Sequence, residues 1–238
     1  MSALKLFISS TIGKKILVAT TGLLFCFFLL FHLLNNLVIY TGAENFNFLV
    51  ASLEKIKPLI RILEVGLATI LIVHIYNSVS LSLQSRKSGN VTTKSNTKNH
   101  NASLSSRTML FTGSILFIFI VIHLSTFWFN FQNNHDHSAY YDIVTSSSLG
   151  FGNIFITLLY LVAMILLGFH LKHGFNSAIQ TFGIKNTSVG KILSMVSIVF
   201  WLFIPAGFFS IAFWFGILNG GIKSVSYTHL TLPTIYSV

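Results

Sequence analysis

Carboxylates are the scarcest chemistry in this chain: its 238 residues hold five Asp and Glu together, against fifteen Lys and Arg. Charged residues make up only 8% of the sequence, where a soluble domain carries about a quarter, so a water-soluble globular fold is excluded. Cysteine is almost missing. Cys26 alone permits neither an internal disulfide nor a cysteine-ligated iron–sulfur cluster within the chain. No glycine-rich flavin or dinucleotide fingerprint is present. The net charge of +10 does not indicate nucleic acid, because the basic residues fall between hydrophobic runs and form no basic face of a soluble fold.

What the chain has instead is apolar length. Hydrophobic residues make up 53% of it, and they gather into runs at about 16–39, 59–83, 108–131, 153–179 and 191–218, each near the roughly 20 residues a spanning helix needs. The expectation is an all-α membrane protein, a single domain over residues 1–223 with five transmembrane helices, the first four forming a bundle. Lys14 and Lys15 before an apolar run look superficially like a signal peptide. The run from Ile16 to Tyr40 is too long for one and has no small-x-small cleavage site, so it reads as a retained helix. Pro205 should kink the fifth span. Gln84 to Arg107 is polar and of low complexity and reads as a mobile loop. The tail, residues 224–238, breaks the pattern of all that precedes it; Ser226 to Val238 resembles a translated sequencing-adaptor read-through, and His229 is set aside with it.

Basic residues set the orientation. With a cytoplasmic N-terminus, Lys14, Lys15, Arg86, Lys87, Lys172, Lys185 and Lys191 fall on the inner side, while Lys55, Lys57, Arg61 and Lys223 lie at or near the outer side. Glu44, Glu54, Glu64, Asp136 and Asp142 all lie outward as well.

Each of the first four spans carries a histidine, at His32, His74, His123 and His170. Ionisable side chains inside a bilayer are costly and mark function by default. A rise of 1.5 Å per residue puts His32 and His123 about 21 to 24 Å from the inner face, and His74 and His170 about 5 to 8 Å from it. Two levels about 15 Å apart result. Facing imidazoles can grip a haem iron from both axial sides, so His32 pairs with His123 for an outer haem b and His74 with His170 for an inner one. A zinc ion would want its ligands at one depth. The bland reading is that each imidazole simply bonds a backbone carbonyl or a neighbouring hydroxyl.

Glycine placement agrees with the haem reading. Thr21-Gly22 precedes His32, and Thr112-Gly113 precedes His123, at the same spacing. Gly22 and Gly113 fall level with the inner pair and Gly66 near the outer pair, where small residues leave room for a porphyrin. His173 is an alternative ligand to His170, or lies beside it near the inner interface. His170 is favoured because it is deeper and has Gly174 one turn on. His135 and His137 flank Asp136 in a loop and read as solvated, and His100 falls in the polar loop.

With these residues in view, the chain resembles the five-helix, di-haem cytochrome b membrane anchor of bacterial succinate dehydrogenase and fumarate reductase. The resemblance rests on SSTIGKKILVATTGLLFCFFLLFHLLNNL (Ser9 to Leu37), on one histidine per span in the first four spans, and on HLKHGFNSAIQTFG (His170 to Gly183). It implies a multi-pass subunit of the bacterial cytoplasmic membrane with axial ligands His32, His123, His74 and His170. It also implies a flavoprotein and an iron–sulfur protein docked on the cytoplasmic face, and exchange of electrons with a quinone, typically menaquinone. Dicarboxylate chemistry would sit on the flavoprotein. One departure is visible: some members carry a carboxylate beside the fourth-span ligand, where this chain has Leu167, Gly168 and Phe169.

Quinone chemistry moves protons with electrons, which draws attention to Glu64, ten residues before His74, and secondarily to Glu54. An ordinary Arg61–Glu64 helix pair is the structural alternative. Thr20, Thr21, Asn35, Asn36 and Asn77 are candidates for propionate contacts or internal polar bonds. Competing functions are the cytochrome b anchor of a hydrogenase or formate dehydrogenase, and a haem-free transporter or structural membrane protein.

Overall fold

The computed structural model describes residues 3–89, 100–134, 136–146 and 148–219. Among these, every regular element is helical and there is no strand. Helix α1 (Ala3–Ser9) turns at Ser10 into α2 (Thr11–Leu37), which closes in a 3₁₀ turn at Val38–Thr41. Helices α3 (Ala43–Lys55) and α4 (Lys57–Gly89) follow. Helix α5 (His100–His123) passes through a π-helical turn, Leu124–Trp128, into α6 (Phe129–Asn133). After α7 (Tyr140–Thr145) comes the long α8 (Ile154–Thr181). The last span is α9 (Ser188–Ile198), a π turn at Val199–Phe203, α10 (Ile204–Phe213) and a second π turn at Trp214–Leu218.

Local chemistry explains the helix ends. Ser10, Asn153 and Thr187 each accept a backbone N–H from the first turn of the helix they precede, at 3.0, 2.9 and 3.1 Å. Helix α8 stops at Gly183, whose φ of +71° admits a left-handed residue. There the N–H of Gly183 returns to Gln180 O at 3.1 Å and that of Ile184 to Ile179 O at 3.3 Å, satisfying two terminal carbonyls. Where Pro205 was expected to kink the span, the helix carries a π turn, Val199–Phe203. Proline lacks an N–H and crowds the carbonyl four residues back, that of Trp201, and the helix absorbs this by widening into the π turn just before it. Nor is Gln84 to Arg107 irregular throughout: α4 continues to Gly89 and α5 begins at His100, because straight-chain and small polar residues keep enough helix propensity to extend both spans. Residues 90–99, the tail 224–238 and His135 lie outside the described residues.

Five helices are each long and apolar enough to cross a membrane: Thr11–Thr41, Lys57–Ser85, Thr108–Asn133, Ile154–Thr181 and Ser188–Leu218. Helix α2 packs on α4, α8 and α10, and α8 packs on α5 and the fifth span, whereas α4 meets α5 only lightly. The most apolar stretch of α4 buries no residue, against 22% to 28% in the other four. This helix therefore stands along open space. Buried residues form two clusters. One, around Phe119, Tyr140, Phe151, Tyr160 and Phe215, lies toward the end carrying α3 and α7. The other, around Cys26, Leu33, Phe175, Phe200 and Ile204, lies toward the opposite end. At the first end Asn47 of α3 donates to Ser138 O at 2.6 Å and accepts the Tyr141 N–H at 2.8 Å, which ties the two interhelical segments into one cap.

Candidate functional site

A cavity of about 2490 Å³ runs between α2, α4, α5 and α8, and His32, His74, His123 and His170 all line it. Single-ligand pockets measure roughly 300–1,000 Å³, so this space is large enough for more than one such group. Its wall is mostly Phe, Leu, Ile and Val, as expected of a helix-lined apolar chamber.

Near the α3 end, the His32 and His123 rings meet edge to face, with centroids 5.8 Å apart and planes at 87°. Aromatic side chains fix both. Phe28 stacks on His32 at 5.2 Å with Phe208 at 5.4 Å, while Phe119 and Phe127 flank His123 at 5.9 and 5.8 Å. Tyr160 sets its hydroxyl 3.0 Å from His123 Nδ1. Asn36 Nδ2 donates to the His32 backbone oxygen at 2.7 Å and lies 3.3 Å from His32 Nδ1.

Toward the other end the second pair is held by α2 and α5. Thr21 Oγ1 is 3.0 Å from His74 Nδ1, and Thr112 Oγ1 is 3.2 Å from His170 Nδ1. Beside each threonine sits a glycine. A Cβ on Gly22 would lie 3.4 Å from His74 Cε1, and one on Gly113 would lie 3.4 Å from His170 Cε1. His170 is within electrostatic reach of both His74 and His173, and His173 also lines the cavity. Gly66 has nothing within 4 Å of where a Cβ would be, and Gly174 faces the Met109 methyl rather than the His170 ring.

Glu64 lines the cavity edge with both carboxylate oxygens engaged. Arg61 Nη1 bonds Oε2 at 2.6 Å and Trp128 Nε1 donates to Oε1 at 2.8 Å. Arg61 also donates to Gln132 Oε1 at 2.5 Å and lies over the Trp128 ring at 5.4 Å, so the pair fastens α4 to the α5–α6 span. Glu54 instead belongs to the cap, 3.1 Å from His137 and 4.0 Å from Lys57. Asn35 lines the cavity, Asn77 is buried and donates to Val73 O at 2.8 Å, and Thr20 is exposed. In the cap, the Ser138 hydroxyl and N–H hold the Asp136 carboxyl below its usual range, and burial with Glu54 nearby pushes the Tyr140 phenol up to about 12.

Tyr160, Trp128 and Gln132 were not singled out in the sequence. Tyr160 was findable: it stands ten residues before His170, as Glu64 stands ten before His74, and so shares the level of the first pair.

Five helices long and apolar enough to span a membrane, with four histidines lining an apolar cavity among them, are consistent with a multi-pass helical membrane protein. No family model matches the chain, and no curated protein or solved structure is significantly similar to it.

Proposed function

We propose that this chain is a di-haem cytochrome b membrane anchor that passes electrons between a membrane quinone, menaquinone by family resemblance, and the iron–sulfur subunit of a succinate dehydrogenase or fumarate reductase. The observation that carries the reading is that four histidines from four helices line one apolar cavity, with His32 and His123 in ring contact at 5.8 Å, where both would be within reach of one haem iron. His74 and His170 line the same cavity, with Gly22 and Gly113 beside their Cε1 edges, where a Cβ would come into van der Waals contact at 3.4 Å.

In this reading His32 and His123 would hold one haem b, and His74 and His170 the other, with His173 beside the second. Bound haem supplies one-electron exchange with iron. The chain's own part is to orient the imidazoles, exclude water with its phenylalanine lining, and place polar groups at the rim. Glu64 is the candidate for proton transfer to or from quinone, since each of its oxygens keeps a free lone pair beside the Arg61 or Trp128 contact. The proposal puts the N-terminus on the cytoplasmic side of a bacterial membrane, because lysines and arginines cluster there, and would dock the flavoprotein and iron–sulfur subunits on that lysine-rich side.

Dithionite-reduced membranes carrying the chain are expected to show a haem b α band with two haems per chain. A spectrum without that band rejects the proposal.

A further inference from the structure

We infer that Thr21 and Thr112 are positioning residues that fix the tautomer of His74 and His170, leaving Nε2 of each ring as the metal-ligating atom. The inference rests on the di-haem reading above. It starts from the single proton of a hydroxyl. Thr21 Oγ1 lies 2.6 Å from the Leu17 carbonyl oxygen and 3.0 Å from His74 Nδ1. Two oxygens at 2.6 Å with no proton between them repel, and a carbonyl can only accept, so the hydroxyl proton points to Leu17. Toward the ring the hydroxyl then presents a lone pair, and the contact is a hydrogen bond when Nδ1 carries the proton. A neutral imidazole has one N–H, so Nε2 keeps the free pair.

Thr112 repeats the arrangement on another helix, with Oγ1 2.9 Å from Thr108 O and 3.2 Å from His170 Nδ1. Each threonine is followed by a glycine beside the same ring, where a Cβ would meet Cε1 at 3.4 Å, in van der Waals contact. The hydroxyl thus orients the imidazole, and the glycine next to it leaves the ring's edge uncovered. His32 and His123 have different neighbours at Nδ1, an amide nitrogen and a phenol. The clamp belongs to one pair only.

The test uses the purified full chain with its haems, comparing Thr21→Val, Thr112→Val and the double variant with Thr21→Ser and Thr112→Ser. Valine keeps the branched shape and removes the acceptor. An acceptor on the far N–H strengthens an imidazole as a ligand, and losing one typically costs about 10- to 100-fold in metal affinity. The expected result is weaker retention of one haem by about tenfold or more, an upward shift of its midpoint potential and altered low-spin EPR g-values. The other haem keeps its values, and serine restores the wild-type signals. An unchanged potential and EPR spectrum in the double valine variant overturns the inference, as does an equal effect on both haems. If the valine chains do not accumulate, ¹⁵N NMR of histidine in the haem-free wild-type chain decides: Nδ1–H on His74 and His170 supports the clamp, and Nε2–H overturns it. A wild-type chain that binds no haem rejects the ligating role through the parent reading, while the NMR result still reports the hydroxyl contact by itself.

Discussion

Glu64 shows how an apolar helix can carry a carboxylate. An arginine one turn before it and an indole N–H from the neighbouring span occupy its two oxygens, so the charge is paired where water is scarce. If Glu64 also serves quinone, Glu64→Gln lowers quinol turnover by roughly a hundredfold while both haems stay bound, measured with a soluble quinol analogue. Unchanged turnover would leave it only the fastening role. The histidines give a sharper test. His32→Ala or His123→Ala is expected to remove one haem of two in a pyridine haemochrome assay, and equal loss of both would break the pairing. Depth was legible in the sequence at this scale, since counting residues along a helix places His32 with His123 and Gly22 with His74. Azimuth was not. These helices are apolar toward lipid and core alike, so hydrophobic periodicity does not say which side faces inward, and Tyr160, Trp128 and Gln132 went unread for that reason.

Among the elements, the five spans were easier to read than their ends or what joins them. Ser10, Asn153 and Thr187 are ordinary cap residues in front of apolar runs, and Gly183 is an ordinary stop. The cap made by α3 and the 136–145 segment depends on contacts more than 90 residues apart in sequence, such as Asn47 with Ser138 and Tyr141, which no local pattern encodes. Asn47→Ala should loosen the cap by about 1 kcal/mol per lost hydrogen bond, seen as faster amide exchange in α3 and α7. The cap should also respond to alkali. A phenol whose pKa rises from 10.0 to about 12 on folding binds its proton more tightly in the folded chain. The stabilisation is complete below pH 10 and disappears as pH climbs toward 12. Amide exchange in α7 is expected to quicken across that window in the wild type, and Tyr140→Phe should flatten the response.

Over the whole molecule, five spans and an odd number of crossings put the termini of the spanning region on opposite sides. Charge asymmetry then predicts which side is which. In a Cys26→Ser background, a cysteine placed at Asn45 is expected to react with a membrane-impermeant maleimide added outside cells, and one at Asn186 is expected to react only after lysis. The reverse pattern inverts the topology. The cavity itself could not be read from composition, because a run of phenylalanine and leucine looks the same whether it faces lipid, a neighbouring helix or a chamber.

Helix α4 is fastened along α2 and at the Arg61 cluster but leaves its apolar face without protein neighbours. A span so loosely gripped resembles a door hung on one side. A group bound in the chamber would supply the missing wall. If the proposed haems are that group, chains made during haem starvation should be cut by proteases near this segment first, and supplying haem should lengthen their lifetime in the cell.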